Sequence, residues 1–535
     1  MKIKKKQLVF YFLAILVLAS FFYLYNYLNI HNSSDPLIFN SPDETANYYF
    51  TELFANTNQL KQESELLNIS HEIHPRSING INNHLVPNSF IGIFLIYGSI
   101  AKLFGNWIII YLTPLISIIG VLFFYLFVKE IFKKKVALIS SLMLLILPSY
   151  WYFSTKTMMH NILFIDLLII SLYFIIRGIK NNKLLHYLLS ILFLALALIV
   201  RSSEVIWVSF LFLTLLITFR KRINWKKISI TLLLLLILAL PVIYFNIQNN
   251  GSATAVAYLE NIGPETHSLF HYIKKVILPF GFHPNNMKFT IVNFIFKLIW
   301  WYSLALLISL IFLVLKRKSI KKEHWLYFGL WSLISLYLFT YYGSWLFFDN
   351  PDPTAITIGS SYLRYMLPYF VFGIPIIAYF LTKINFKKKG INNLIIIVIL
   401  GAMFFGSYSM VMNCPQEGIV KISKDLDIYQ NRTNLIVAHT EVDSIIMTSR
   451  ADKYIFPYRQ VLYLKGEVYN YHNFPLLLEE NYPIYYFGFQ FDESELDQAL
   501  TNLYFQGINL SDPIFIDGDH ALYRIMPINK IYARN

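Results

Sequence analysis

The chain has 535 residues, 56% of them hydrophobic and only 14% charged, against about 25% charged in an average soluble domain. Its net charge of +14 does not indicate nucleic acid, because the basic residues fall between apolar runs and form no patch. Its single cysteine, Cys414, excludes an internal disulfide and a cysteine-built metal cluster.

Apolar runs of about 20 residues recur almost from end to end, the signature of a polytopic membrane protein. The first covers Leu8–Leu28, behind a basic Lys2–Lys6. It is longer than a signal-peptide core and no Ala-x-Ala site follows, so a retained span is expected. A polar loop over His31–Gly105 comes next. Within it Thr45–Leu60 and Ser89–Phe104 carry apolar residues at helical spacing, which predicts amphipathic helices in the membrane interface. Further apolar runs lie at Trp107–Val128, Val136–Phe153, Met159–Ile176, Leu184–Val200, Val205–Phe219, Ile228–Ile247, Ile291–Leu315, His324–Phe348, Ser361–Leu381 and Asn393–Met412. That makes about eleven spans, some of them short.

Charge supports the series. With the N-terminus in the cytoplasm, the inner segments from Lys2–Lys6 to Lys383–Lys389 hold more than half of the 45 Lys and Arg, and the short outer connections hold few. The first loop, a second loop over 248–290 and the tail then share the outer side. The second loop contains Pro264-Glu265-Thr266-His267 and Phe282-His283-Pro284. The tail is polar and reads as a small α/β domain. Its expected strands are Asn434–Ala438, Gln460–Leu464, Pro483–Phe487 and Ala521–Ile525, with a helix over Asp492–Gln506. The expected fold is thus a polytopic α-helical membrane domain over 1–412, with the active-site loop at 31–105, followed by an extracytoplasmic α/β domain over 413–535.

Two groups of residues could carry chemistry. In the first loop, Asp43 and Glu44 follow Pro42 at the start of a helix. They serve either as a cap that suits the macrodipole or as acid–base groups, and together they could hold a divalent cation. His71, His74 and Arg76 follow, without a clear third ligand for zinc. The second group lies at the outer ends of spans: Lys156, His160, Arg201, Glu204 and Arg364. Charge at membrane depth is costly, so such residues are functional candidates, with snorkelling as the plain alternative for Lys156 and mutual pairing for Arg201 and Glu204. Asp349 and Asp352, in Phe348-Asp-Asn-Pro-Asp-Pro, read as a turn.

The order and sidedness of these motifs resemble the GT-C class of membrane glycosyltransferases, in particular bacterial and archaeal relatives of protein O-mannosyltransferases and aminoarabinose transferases. Pro42-Asp43-Glu44 opens a long first outer loop that closes with Val86-Pro-Asn-Ser-Phe-Ile-Gly and Leu103-Phe-Gly105. Arg364-Tyr365-Met-Leu-Pro368 opens a late span, and a soluble domain ends the chain. The resemblance covers roughly residues 1–412. It implies a polyprenyl-phosphate sugar donor, a hydroxyl acceptor, an outward-facing site in the cell membrane and inverting transfer. It makes Asp43 the catalytic base or acceptor-positioning group, with Glu44 beside it. Arg364, with Tyr365 and supported by Lys156 and Arg201, faces the donor phosphate. His74, Arg76, His160 and Glu204 are left as acceptor-positioning candidates. One departure is His160-Asn161, where many relatives carry an acid at the outer start of the fourth span. No cofactor is implied beyond a divalent cation, and no nucleic-acid partner. The reading from a different class is a flippase for lipid-linked sugars, but no internal repeat marks it.

Overall fold

The computed structural model describes residues 5–31, 37–251, 277–347, 349–350, 352, 354–384, 389–471 and 473–528. Pro264-Glu265-Thr266-His267 lies outside the described residues. The chain divides into two compact units. One comprises residues within 1–30, 110–243 and 259–421, and the other residues within 31–109, 244–258 and 422–535. The first loop therefore shares a unit with the tail.

The first unit is helical. Four described helices, Asn106–Ile131, His160–Asn181, Trp225–Asn249 and Gly390–Asn413, are long and apolar enough to cross a membrane, and seven segments are if each of three bent pairs counts as one. The sequence expectation was about eleven. Shorter apolar helices at Tyr11–Tyr25 and Leu367–Lys383 coincide with two of the expected spans. The His160–Asn181 helix is the most enclosed, and it packs against Leu184–Val200. Its lone acid, Asp166, is fully buried and accepts a hydrogen bond from the Tyr150 hydroxyl at 2.8 Å. Gly120 makes room for it, since a Cβ there would lie 2.0 Å from the Asp166 carboxyl.

Two apolar runs that read as continuous are broken. Val136–Phe153 becomes Lys134–Leu145 and Pro148–Thr155, bent by 52°. Pro148 is the cause: it lacks an N–H and drives the preceding Leu147 into an extended conformation, at ψ 121°. The break strips carbonyls of their helical donors, and no water in a bilayer core could replace them. Tyrosines do so instead. The Tyr25 hydroxyl donates to the Leu145 carbonyl at 2.8 Å and the Tyr302 hydroxyl to the Met143 carbonyl at 2.9 Å. Removing one such bond by Tyr302→Phe is expected to cost about 1 kcal/mol. Thermal unfolding of the detergent-solubilised protein checks this against the exposed control Tyr408→Phe, and equal midpoints for the two variants would refute it. Ile291–Leu315 is the second broken run. Its segments, Pro284–Leu298 and Trp300–Leu315, bend by 98° about Ile299. The third bent pair, Leu184–Val200 and Ser202–Thr218, turns by 115° with Arg201 at the break.

The second unit joins the first loop to the tail. The loop forms helices Pro42–Thr57 and Gly92–Phe104, overlapping the two expected there, and a three-stranded antiparallel sheet ordered Gln62–Glu63, His84–Pro87, Ile78–Ile81. Asn82 and Asn83 close its hairpin with φ of 47° and 62°, the left-handed pair that a tight two-residue hairpin turn requires and asparagine tolerates. In the tail, Gln460–Tyr463, Ile445–Thr448 and Ile484–Phe489 run parallel. His520–Pro527 and Ile508–Leu510 continue the sheet antiparallel, and Phe515–Asp517 also pairs with His520–Pro527. Helix Glu493–Tyr504 starts on a capping box made by Asp492 and Glu495. Leu66 and Ile73 of the first loop are buried in one cluster with Ile445, Met447, Leu462 and Ile484 of the tail sheet.

The strand expected at Asn434–Ala438 is not one. It lies in the helix Ile419–His439, whose buried Ile419, Ile422, Leu426 and Ile436 recur at helical spacing. The β-branched Ile436 and Val437 suggested a strand, but the longer helical period prevails. The true first strand of the tail sheet, Ile445–Thr448, follows a few residues later.

Candidate functional site

In the loop–tail unit the site begins at a helix start. Ser41 is the N-cap of Pro42–Thr57, with φ −124° and ψ 140°, and its side chain accepts from the Asp43 N–H. Capping therefore falls to Ser41. Asp43 and Glu44 occupy the first turn, where their charge suits the macrodipole. Glu44 is buried at 3% exposure and Asp43 is half-buried. An Asp43 carboxylate oxygen accepts from the Ser77 hydroxyl at 2.7 Å.

Arg76, next to Ser77, is gripped by Asp452. The Arg76 N–H donates to Asp452 at 2.9 Å, Nε at 3.0 and 3.1 Å, and Nη2 at 2.5 Å. Asp452 is fully buried, and the Arg76 guanidinium also lies 5.2 Å from the Tyr463 ring. Burial works against the charged arginine, but the Asp452 carboxylate outweighs it and raises the Arg76 pKa, with Tyr463 and Asp43 adding to the effect. His74 is different. Burial lowers its pKa, although its Nδ1 lies 2.9 Å from the Pro75 carbonyl. It thus favours the neutral form. The structure brings Asp43 and Arg76 into one network, through Ser77 and Asp452, and buries Glu44 beside Asp43 in the same helical turn. Ser41, Ser77 and Asp452 belong to it. Ser41 carried a signal, since Ser41-Pro42-Asp43-Glu44 has the spacing of a capping box with proline at the first helical position; Ser77 and Asp452 did not, being one serine in a loop and one acid among many in the tail. Among the described residues no group of three or more His, Cys, Asp or Glu comes together as a metal site.

In the helical unit Arg364, Arg201 and Glu204 gather around Tyr365 and Tyr342. Arg364 and Arg201 place their guanidiniums 5.2 and 4.8 Å from its ring centroid, and Tyr342 stacks on it at 4.6 Å. The two arginines differ. Arg201 is buried and donates through Nε and Nη2 to Glu204, at 3.0 and 2.8 Å. Tyr342 accepts from Arg201 and donates to Glu204, and the Trp207 indole N–H also donates to Glu204. The mutual pairing open in the sequence is thus realised. Arg364 donates through Nε and Nη2 to the Ser361 hydroxyl, at 3.1 and 2.7 Å. Ser361 in turn donates from its N–H and its hydroxyl to Asp349, at 2.6 and 2.8 Å. Asp349 therefore does more than form a turn: it orients the serine that holds Arg364. The signal available was the i, i+3 spacing of Ser361 and Arg364. Asn161 donates to the Arg364 carbonyl at 3.1 Å, placing the start of the His160–Asn181 helix beside this group. His160 is the first residue of that helix and Lys156 ends the one before; both are buried, and Lys156 lies 5.8 Å from the Tyr152 ring.

No curated protein sequence matches the chain. Residues 89–245 match the profile of the family described as dolichyl-phosphate-mannose-protein mannosyltransferase, a stretch that contains Lys156, His160, Arg201 and Glu204. Among solved structures, the chain is similar to ArnT from Cupriavidus metallidurans in the apo state, with a TM-score of 0.53 and 9% identity over 97% of this chain and 98% of that one. The same enzyme bound to undecaprenyl phosphate matches with a TM-score of 0.53 and 9% identity over 96% and 97%. The archaeal oligosaccharyltransferase AglB from Archaeoglobus fulgidus, in complex with an inhibitory peptide and a dolichol-phosphate, matches with a TM-score of 0.53 and 11% identity over 92% of this chain and 70% of that one. The chain has the fold of these GT-C membrane glycosyltransferases, and its segment 89–245 matches the family of the dolichyl-phosphate-mannose-protein mannosyltransferases.

Proposed function

We propose that the protein transfers a sugar, with inversion, from a polyprenyl-phosphate donor to a hydroxyl acceptor at the outer face of the membrane. The observation that carries this reading is the state of Asp43. With Ser41 capping the helix, Asp43 keeps a half-buried carboxylate oriented by a hydroxyl, in a chain with a GT-C fold. In this reading the acceptor hydroxyl attacks the anomeric carbon as its proton passes to Asp43. The bond from that carbon to the phosphate oxygen breaks, and the phosphate leaves with the electron pair. Arg364, with Tyr365 beside it, offsets the charge that grows on the phosphate, and Lys156 supplies a second positive charge. Arg201, already paired with Glu204, acts by fixing Tyr365 and Tyr342. The positive-inside pattern supports a cytoplasmic N-terminus, with the first loop and the tail outside. The match to a mannosyltransferase profile and the lipid phosphates bound by ArnT and AglB support a lipid-linked donor.

The test uses purified protein, a panel of radiolabelled polyprenyl-phosphate sugars, and membrane extract as the source of acceptor. Label leaving the lipid only when the protein is present is the expected result. Donors that stay intact but cross the wall of sealed liposomes would replace the transferase by a flippase.

A further inference from the structure

We propose that Asp452 is a positioning residue for Asp43, so that the tail sets the geometry of the first-loop carboxylate. The proposal rests on the reading of Asp43 as the catalytic base. Its physical basis is two sets of hydrogen bonds, Asp452 to Arg76 and Ser77 to Asp43, joined through the Arg76–Ser77 peptide within one compact unit. Asp452 binds Arg76 at both its backbone N–H and its guanidinium, fixing the backbone as well as the side chain. The next residue, Ser77, has φ 64°, a left-handed conformation that a serine adopts only when its surroundings impose it. Its carbonyl accepts from the Asn88 N–H at 3.3 Å, and its hydroxyl donates to Asp43. Ser77 is thus held from both sides with its hydroxyl on the carboxylate.

The same short tail segment braces the helix that carries Asp43. Lys453 donates to the Asn40 carbonyl at 2.8 Å, and the Thr45 hydroxyl donates to the Lys453 carbonyl at 2.7 Å. Tyr49 packs edge-on against Phe456, with ring centroids 5.0 Å apart. The residues from Asp452 to Phe456 therefore grip both partners of the Ser77–Asp43 bond: the strand-side loop through Arg76, the helix through Thr45 and Tyr49, and the residue before its cap through Asn40. A fully buried carboxylate with no place in the reaction itself gains a function as the anchor of this clamp.

The experiment compares Asp452→Asn, Ser77→Ala and the double variant in the full-length protein, by two readouts. The first is kinetic. A misplacement of about 1 Å lowers turnover by as much as about a hundredfold, so each single variant should lose kcat by up to that factor with KM for donor and acceptor nearly unchanged. The double variant should be no worse than either single one, because both cut the same link. The second readout is independent of activity: labelling of Asp43 by a water-soluble carbodiimide at fixed pH, followed by mass spectrometry. Loss of the Ser77 hydrogen bond favours the protonated, reactive carboxyl, so both single variants should label several-fold faster than wild type. Asp452→Glu, which keeps the charge, should restore part of both signals. If Asp452→Asn does not fold, Ser77→Ala and Arg76→Lys carry the same two expectations. Unchanged Asp43 labelling, or additive losses in the double variant, overturns the proposal. Faster labelling in the variants, together with a wild-type protein that transfers no sugar, would uphold the clamp and overturn the transferase.

Discussion

Asp43→Asn is expected to cut sugar transfer by about a hundredfold or more, on the scale of a lost general base, while the protein still inserts and folds. The expectation rests on which residue does the capping. If Asp43 capped its helix, the variant would be read as a stability change, but Ser41 has that role through its side chain. What Asp43→Asn takes from the helix is only a first-turn charge, worth about 0.3–1 kcal/mol. The asparagine keeps the volume and can still accept from Ser77 through its amide oxygen. It cannot take a proton from an attacking hydroxyl. Turnover and thermal stability should therefore separate: the first collapses, the second barely moves. The contrast is Ser41→Ala, which removes the cap and should lower stability by about 1 kcal/mol with a smaller effect on turnover. Near-normal transfer by Asp43→Asn would remove Asp43 from the mechanism and leave it a first-turn charge.

The parts of this molecule that were legible in the sequence are those governed by local period and local charge. The first-loop helices and the tail helix Glu493–Tyr504 follow from apolar spacing and start signals, and three tail strands follow from β-branched and aromatic runs. What failed has a common cause in tertiary context. Asn434–Ala438 has strand-like composition, yet belongs to a helix whose period shows only over its full length. The break at Ile299 has no proline to announce it, unlike the one at Pro148. The chemistry divides in the same way. Asp43, Glu44 and Arg364 stand out because charge is rare in this chain, and Arg201 and Glu204 because they are three apart. Asp452 and Ser77 matter only through partners far away in sequence, and Asp349 through a bond to Ser361 across a turn that looked merely structural. No single residue type or spacing encodes such pairings.

The largest expected effect in the helical unit comes from Arg364→Lys, set against Arg201→Gln. Both arginines face the Tyr365 ring, so position alone does not separate them. Their partners do. Arg201 is neutralised by the buried Glu204, and its loss would leave that carboxylate buried without its charge partner, on hydrogen bonds from Tyr342 and Trp207, a change that costs about 3–5 kcal/mol when a buried pair is broken. Arg201→Gln should therefore appear first as poor yield and a lower melting temperature. Arg364 is held by the Ser361 hydroxyl, which orients the guanidinium, and Asp349 lies one hydrogen bond further on. A positive charge so placed is suited to a phosphate that gains charge as the sugar departs. A lysine keeps the charge but loses the fork that meets both Ser361 and a phosphate oxygen. Losing one such oriented contact raises a barrier by about 2.7–4 kcal/mol, a hundred- to a thousandfold in turnover. Arg364→Lys should show that loss at an unchanged melting temperature, with the defect in kcat for every donor of the panel. If turnover survives in Arg364→Lys and disappears in a folded Arg201→Gln, the phosphate-binding role passes to Arg201, and its pair with Glu204 becomes one that the donor must displace.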